Sequence, residues 1–324
     1  MNQSKKQTTS LVDQVVIEPL KKEDIDAADL TYRLAFGTFL GVPEPRKFAG
    51  DARIIQSRWE AEPETTFCAK INNKLVGVNF VRKWGTVGGF GPLVVTPEFW
   101  GKRIASRLLE PVNDLFNKWD VKHSIIFTHA TSPKHIGLYQ KIGFWPRFLT
   151  AVMAIKIHNN KTSDFYMFSE LSNEEKKEAL AVCQKLTDAI YNGLDVAREI
   201  VSVDKQKLGD TLLVYDNSKL KGFAVCHQGS GTEAGSNHCY IKFAAILPDV
   251  KSGQYFNQLL DACESFSFNN GIERLSAGVN LGCYKAFQSM FNHGFRTFMQ
   301  GVAMQKPNEA GILRDDVYII NDWR

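Results

Sequence analysis

An internal repeat is the feature of this sequence that most constrains its fold. Residues 138–144 (LYQKIGF) recur in outline as residues 289–295 (SMFNHGF), and a constant offset of 151 residues carries Pro97 onto Pro248 with apolar and turn positions in phase. Upstream, an offset of 145 carries Thr66 onto Thr211. The six-residue difference falls in the glycine-rich segment 229–235, where an insertion costs little chain entropy. The chain is therefore one domain pattern used twice.

Composition narrows the class of protein. The chain has 324 residues, of which 44% are hydrophobic and 23% charged, and this is enough apolar material for two globular cores. The net charge is only +4 and no block of basic residues occurs, so nucleic acid and membrane are not expected as partners. Residues 1–14 lack the apolar core of a signal peptide, and no run is long enough to span a membrane. We therefore expect a cytoplasmic protein, of unknown oligomeric state.

The six cysteines form no C-x-x-C pair and no short cluster with histidine. Most lie within apolar strand or helix patterns, where a free cysteine behaves as a small hydrophobic side chain. The sequence thus predicts buried free thiols, with no metal site and no disulfide framework.

The order of elements predicts an α/β (α+β) fold of two tandem domains. Each is expected to be a mixed, largely antiparallel sheet flanked by helices, antiparallel through a hairpin and parallel where helices cross over. The predicted divisions are a disordered leader (1–14), a first domain (15–157), a linker (158–164), a second domain (165–306) and a C-terminal tail (307–324).

Local signals predict several elements of the first copy. Asn72-Asn73 should form a hairpin turn, because asparagine tolerates the required positive φ. Gly143 should stop the helix that Ser132-Pro133 begins. The hydrophobic pattern further predicts a helix over 47–59, a strand over 87–95 with glycine interruptions, a helix over 103–119 and a last strand over 151–157.

The segment from Val94 to Ala105 carries the strongest chemical signal. It runs from a strand through a tight loop into a helix, and such a junction presents free backbone N–H groups and the positive end of the helix dipole to an anion. Gly101 leaves room for close approach, while Lys102 and Arg103 add charge suited to a pyrophosphate. A solvated helix start that happens to be basic is the simpler alternative.

Together with the helix end Leu138-Tyr139-x-x-x-Gly143-Phe144, this segment resembles the GNAT superfamily of acyl-CoA N-acyltransferases. The family pattern, Gln/Arg-x-x-Gly-x-Gly/Ala, matches at Ala105, whereas Trp100 replaces Gln or Arg and Arg103 replaces Gly. Arg103 can still present its backbone N–H if its φ is negative. The resemblance covers roughly residues 15–306 and implies that the coenzyme A pyrophosphate is bound by Trp100, Gly101, Lys102, Arg103, Ile104 and Ala105.

The resemblance also implies roles around the thioester. The strand before the loop should splay from the next strand, and its exposed backbone at Leu93, Val94 and Val95 should bind the pantetheine arm. Tyr139 should protonate the departing thiolate, although a packed core tyrosine is the alternative. Ser132 stands where the family often has an asparagine near the pantetheine.

A general base is harder to assign, because no carboxylate occurs from Val87 to Val95, where many family members carry a glutamate. His129, after the following strand, is the nearest substitute, directly or through water, unless it is structural. Weaker candidates are His123, His135, Glu62 and Glu64.

The second copy departs further from the family pattern. Lys251-Ser252-Gly253-Gln254-Tyr255-Phe256 replaces the basic loop, with bulky Phe256 at the position of Ala105, and Met290 replaces Tyr139. We expect this copy to bind no coenzyme and to serve for shape or as a wall of the acceptor cleft. Glu233, in the inserted loop, is a possible contributor to a site, although a flexible hairpin loop is the simpler reading.

These observations favour an N-acyltransferase that moves an acetyl group from acetyl-CoA to an amine by direct attack in a ternary complex. No cysteine or serine stands in a recognisable nucleophile motif, which speaks against a covalent intermediate. A non-catalytic acyl-CoA-binding or regulatory protein, and a purely structural protein, are the alternatives. The amine is a small molecule or a peptide, and neither its identity nor the acyl chain length follows from the sequence.

Overall fold

The structure, a computed structural model, describes residues 11–157 and 163–322. Most of the predicted leader and linker, and the terminal pair Trp323-Arg324, lie outside the described residues. We call residues 11–157 the first half and residues 163–322 the second half.

The first half begins with a strand and two helices that lead into a hairpin. Its described elements are β1 (Val16–Pro19), α1 (Ile25–Phe39), α2 (Ile54–Ala61), β2 (Thr66–Ile71), β3 (Lys74–Trp84), β4 (Val87–Phe90), β5 (Val94–Val95), α3 (Ile104–Lys118), β6 (His123–Thr128), α4 (Pro133–Gln140) and β7 (Trp145–Lys156).

The second half repeats this order with one strand, β11, in place of β4 and β5, and adds β14 after its last long strand. Its described elements are β8 (Tyr166–Met167), α5 (Asn173–Ile190), α6 (Ala197–Gln206), β9 (Gly209–Asp216), β10 (Lys219–Gly229), β11 (Gly235–Ile246), α7 (Ser252–Asn269), β12 (Arg274–Asn280), α8 (Tyr284–His293), β13 (Arg296–Lys306) and β14 (Ile319–Asn321).

Turn chemistry places the elements as predicted. Asn72 and Asn73 have φ of 48° and 63°, the left-handed conformation that asparagine tolerates, and they close the β2–β3 hairpin. Gly143 and its repeat counterpart Gly294, with φ of 91° and 112°, follow the ends of α4 and α8. These predictions are confirmed.

Two predicted boundaries are wrong. The helix expected from residue 47 begins only at Ile54, because Ala49 and Gly50 have φ of 64° and 54° and cannot continue a right-handed helix. The strand expected from residue 151 begins at Trp145. Its first residues are largely exposed, so backbone pairing with β13 rather than burial holds them in the sheet.

The two halves exchange their last long strands. The sheet follows the order β1-β2-β3-β4-β6-β13-β7-β12-β11-β10-β9-β8, so β13 of the second half pairs with β6 of the first, and β7 pairs with β12. The parallel pairs are β4–β6 and β11–β12, where α3 and α7 cross over. Each half thus completes the sheet of the other. The predicted boundary at residue 157 separates the two copies of the repeat, but the sheet continues across it.

Helices cover the first half's sheet on two faces. Residues of α1 and α2 pack with Val78 and Phe80 of β3, whereas residues of α3 and α4 pack with Val81 of the same strand. Successive side chains of a strand point to opposite faces, so α3 and α4 lie across the sheet from α1 and α2. The predicted mixed, largely antiparallel fold with flanking helices is confirmed.

The predicted state of the cysteines is also confirmed, since all six are free and buried. Within the described ranges, no helix has the length and apolar character needed to cross a lipid bilayer.

Candidate functional site

A wedge opens between β5 and β6. β4 pairs with β6 only at Val87 and Gly88. The strand is then interrupted at Gly91-Pro92, between β4 and β5, and we call this interruption the strand break. Beyond the break, β5 pairs antiparallel with β3 on the other side. Within the described part of the chain, β5 has no strand partner toward β6, so backbone groups there face an open edge. This is the splay that the sequence resemblance implies.

The loop that follows β5 ends at a helix start without a side-chain cap. Gly101 has φ of 76°, and open space surrounds the position that a Cβ would take. Arg103, just before α3, has φ of 58°, so the negative φ considered from the sequence is wrong. Arg103 instead adopts a conformation that glycine favours, at a cost of about 1 kcal/mol. The loop therefore keeps a glycine-like backbone where the family pattern has Gly.

Side chains around this loop leave its outer surface basic. Lys102 and Arg103 are exposed, and the Lys102 ammonium lies 5.9 Å from the centre of the Phe99 ring. The Trp100 indole N–H donates to the Val95 carbonyl at 2.7 Å. One of the backbone groups predicted to bind pantetheine thus already has a partner.

The remaining predicted coenzyme residues lie around the same wedge. Ile104 is buried, so only its backbone is available to a ligand, while Ala105 is partly exposed. Leu93 and Val94 lie on the open stretch between the break and the loop. The Ser132 hydroxyl caps α4 by accepting from the His135 N–H at 3.4 Å. These ligand contacts remain predictions.

Tyr139 borders the wedge from the side of α4. Its ring centre lies 5.7 Å from that of Phe90, the residue before the strand break, within an apolar cluster that includes Leu109 of α3. Burial raises the pKa of the phenol, so it stays protonated at neutral pH. In the part of the chain that the structure describes, no hydrogen-bond partner reaches the hydroxyl. Tyr139 is thus a buried proton donor whose hydroxyl donates no hydrogen bond to another described residue.

His129 lies toward α1. Its ring is 4.8 Å from Phe39 and 6.3 Å from Phe36, whereas Tyr139 packs with residues of α3. Burial lowers the pKa of His129, so the ring is neutral at pH 7 and can accept a proton. The candidate base, in the loop after β6, therefore lies toward α1, whereas the candidate acid on α4 lies on the α3 side of the sheet.

The four weaker candidates for the general base lie at different places in the first half. His135 contacts the same Phe39 ring at 5.0 Å, but His123 lies at the opposite end of β6, about 20 Å along the strand from His129. Glu62 follows α2, and its carboxylate accepts from Arg198 of the second half at 2.6 Å. Burial raises the pKa of Glu62, which makes it a second candidate proton acceptor. Nothing in the structure brings Glu64 to the wedge.

A buried ionic network joins the second half to the strand break. Arg58 of α2 donates to the Gly91 carbonyl at 3.1 Å and to the Glu233 carboxylate at 2.7 Å. Lys242 of β11 donates to Glu233 at 2.9 Å and lies 3.0 Å from Glu199 of α6. All four charged side chains are at most 9% exposed. Because removal of one member leaves a buried charge unpaired, we expect the network to be rigid.

Glu199 brings a second carboxylate close to the first half's sheet. It accepts from the Trp84 indole at 3.1 Å and lies 3.5 Å from Arg82, which is paired in register with Gly89 of β4. A cavity of about 30 Å³ adjoins this group and is lined by residues of both halves, among them Glu62, Arg82, Glu199 and Lys242. Two carboxylates of the second half, Glu199 and Glu233, thus lie buried against the first half.

Sequence reasoning missed most of this network. Only Glu233 attracted attention, because it lies in the inserted glycine-rich loop. That loop is also tied to the first half, since Asp51 accepts from the Ser236 N–H at 2.9 Å and Thr232 accepts from the Arg53 N–H at 2.9 Å. The insertion is therefore an interface between the halves rather than a free loop.

Two groups of side chains among the described residues each bring three metal-binding atoms together. In the group Glu18, Asp24 and Cys68, the Lys70 ammonium already lies 3.0 Å and 2.8 Å from the two carboxylates, where a cation would otherwise be needed. The second group consists of Asp261, Glu264 and His293; there His293 Nε2 and Glu264 Oε1 are 2.5 Å apart, a hydrogen-bonding distance. Both groups are accounted for without an ion, and the absence of a metal stays a prediction.

Comparison with known proteins agrees with this geometry. Residues 30–144 match the sequence model of the acetyltransferase (GNAT) family. A Pyrococcus horikoshii protein provisionally assigned as an acetyltransferase has a similar fold over 99% of both chains, with 13% identity and a TM-score of 0.69. A GCN5-related N-acetyltransferase from Sphaerobacter thermophilus covers 91% of this chain and 96% of its own, with 11% identity and a TM-score of 0.58.

A GCN5-related N-acetyltransferase from Anabaena variabilis shows the same fold over 90% of this chain and 72% of its own, with 15% identity and a TM-score of 0.53. None of the curated proteins compared matches this chain in sequence. The likeness to solved structures concerns the fold, and the family match covers the part of the first half that contains the wedge, the basic loop and Tyr139. The match of residues 30–144 to the acetyltransferase (GNAT) family thus agrees with the sequence resemblance.

Proposed function

We propose that the first half transfers an acetyl group from acetyl-CoA to an amine by direct attack within a ternary complex. The observation that carries this proposal is the wedge between β5 and β6, which opens beside an uncapped helix start with a basic loop and borders a buried tyrosine. A pyrophosphate would be held by the backbone from Trp100 to Ala105 together with Lys102 and Arg103. The pantetheine arm would then follow the open edge at Leu93 and Val94.

Tyr139 is the proposed general acid. Collapse of the tetrahedral intermediate expels the coenzyme thiolate, and the phenol donates its proton to that sulfur. Two features support this role: the raised pKa keeps the proton on the oxygen at neutral pH, and no protein acceptor in the described structure competes for it.

His129 is the proposed base, directly or through water. An amine must lose a proton before or during its attack on the thioester, and the neutral imidazole can accept it. Glu62, whose raised pKa suits the same role, is the second candidate. The buried cysteines argue against a covalent acyl-enzyme, because burial raises the pKa of Cys68 to about 11 and that of Cys283 to about 12, so both remain thiols.

The ionic network is proposed to fix the strand break. Arg58 holds the Gly91 carbonyl, and Glu233 of the second half holds Arg58 through Nε and Nη2 at 3.1 Å and 2.7 Å. The thioester would lie next to this break, so a small displacement of the backbone would misalign it. The second half thus braces the site and walls its acceptor side.

Two measurements test the proposal. Calorimetric titration should give one equivalent of CoA per chain, and thiol release from acetyl-CoA should depend on one class of amine in a panel of amino acids, polyamines, amino sugars and peptides. Absence of any CoA binding at millimolar concentration would overturn the proposal. CoA binding without thiol release across the panel would favour the alternative, a non-catalytic acyl-CoA-binding protein. The lack of a carboxylate from Val87 to Val95 is the observation that supports this alternative.

A further inference from the structure

The repeat allows the wedge of the first half to be located in the second. With the offset of 151 residues, Leu93, Val94 and Val95 correspond to Ala244, Ala245 and Ile246 of β11, and Lys102 and Ala105 correspond to Gly253 and Phe256 of α7. Tyr139 corresponds to Met290 of α8. We call the space between β11, β12 and the start of α7 the second groove.

The chain's own C-terminal segment lies in the second groove. β14 pairs antiparallel with β11 through Phe243–Asn321, Ala244–Ile320 and Ala245–Ile319, and the Ile246 N–H donates to the Tyr318 carbonyl at 3.1 Å. In the first half the corresponding edge is the one proposed to bind pantetheine. β11 keeps its parallel pairing with β12 only over residues 238–241, before β14 begins.

Tyr318 lies where the first half presents its basic loop. Its ring centre is 5.3 Å from that of Phe256, and its hydroxyl would lie 2.8 Å from a Cβ built on Gly253. A lysine side chain, as at Lys102, does not fit at Gly253 while Tyr318 occupies this place. The helix start that would face a pyrophosphate is therefore covered by an aromatic side chain.

Residues 319–322 of the segment are deeply buried in the second half. Ile319 and Ile320 are fully buried, and Asp322 is 1% exposed. The Asp322 N–H donates to the Lys242 carbonyl at 3.0 Å, and a Cβ built on Gly278 of β12 would lie 2.6 Å from the Asp322 carboxyl group. Glycine at 278 thus makes room for Asp322, as glycine at 253 does for Tyr318.

We infer that residues 318–322 are an intramolecular ligand that permanently replaces a coenzyme in the second groove. The backbone of β14 takes the hydrogen bonds of the exposed strand edge, Tyr318 covers the helix start, and Asp322 reaches the buried end beside Lys242. The second half is therefore a closed counterpart of the first, and its ligand is part of the same chain. This inference uses the proposed function only to name what the first wedge binds.

Amide hydrogen exchange on the full chain tests the inference without any ligand. Ile320→Pro removes one N–H from the β14 edge and should raise exchange at Ala244 and Ile246, whose amides face β14, by at least tenfold, while residues 238–241, which pair with β12, should change little. Asp315→Ala, at an exposed position of the same segment, is the control and should leave both regions unchanged. Equal exchange at Ala244 and Ile246 in the two variants would overturn the inference.

A truncated chain ending at Asp316 supplies the second measurement. A synthetic peptide of residues 317–324 should bind it saturably and lower amide exchange at Ala244 and Ile246, whereas CoA, which the first half is proposed to bind, should leave exchange at these two residues unchanged. A truncated chain as stable as the full chain would overturn the inference, and so would a second equivalent of CoA that raises exchange at residues 319–321 of the full chain. If CoA binds neither chain while the peptide still binds, the proposed function fails and the inference stands.

Discussion

Tyr139→Phe separates a catalytic tyrosine from a packed one. The substitution keeps the ring against Phe90 and removes only a hydroxyl that has no hydrogen-bond partner in the described structure. A hydroxyl that makes no hydrogen bond within the protein contributes little net stabilisation, so the free energy of unfolding should change by less than about 1 kcal/mol. If the phenol is the general acid, turnover should fall by roughly 10² to 10⁴, a rise of about 3 to 5 kcal/mol in the activation barrier.

The assay is thiol release from saturating acetyl-CoA with the best amine of the panel, combined with calorimetric titration of CoA and urea unfolding. CoA affinity should change less than about threefold, since Tyr139 is proposed to act on the departing sulfur. Phe144→Leu is the matched control: it lies in the same cluster, 5.6 Å from the Phe90 ring, and should lower stability more than turnover. Turnover of Tyr139→Phe within threefold of wild type, with chemistry rate-limiting, would refute the reasoning.

Three further predictions concern the loop, the network and pH. CoA at 100 times its dissociation constant should stabilise the protein by about 2.7 kcal/mol, which a thermal shift would measure. The double substitution Lys102→Glu and Arg103→Glu should abolish this shift. A shift retained in the double variant would show that CoA binds at another place. Glu233→Gln should lower turnover by roughly tenfold or more. Glu199→Gln also removes a buried carboxylate that pairs with Lys242, but Glu199 does not contact Arg58 at the strand break, so turnover should fall less than about threefold. Equal losses of turnover would show that the network acts only on stability. Burial lowers the pKa of His123 to about 4, whereas a histidine in an unfolded chain has a pKa of about 6.5. As the pH falls below 6.5, the unfolded state therefore binds a proton that the folded state does not. The free energy of unfolding should drop by up to about 1.4 kcal/mol per pH unit between pH 6.5 and 4. His123→Phe should flatten that slope in urea titrations, and an unchanged slope would contradict the assignment.

Local chemistry in the sequence determined much of the fold. The hairpin at Asn72-Asn73 and the helix stops at Gly143 and Gly294 depend on residues that accept positive φ, a property that each residue carries regardless of its surroundings. The 3.6-residue period of α3 and the phase between the two copies likewise follow from apolar spacing along the chain. These features gave the fold class, the repeat and the basic loop beside Tyr139.

Tertiary structure decided which edges pair and which charges meet. The two copies have similar strand patterns, so nothing local specifies that β13 joins β6 and β7 joins β12. Arg58 and Glu233 are 175 positions apart, and neither carries a local signal of its partner. The segment after residue 306, which the sequence sets outside both copies, forms β14 within the second groove because its apolar residues find an unpaired strand edge there. Pairing at such distances depends on which complementary surface remains open once each copy has folded, and the sequence pattern of a single segment does not contain that information.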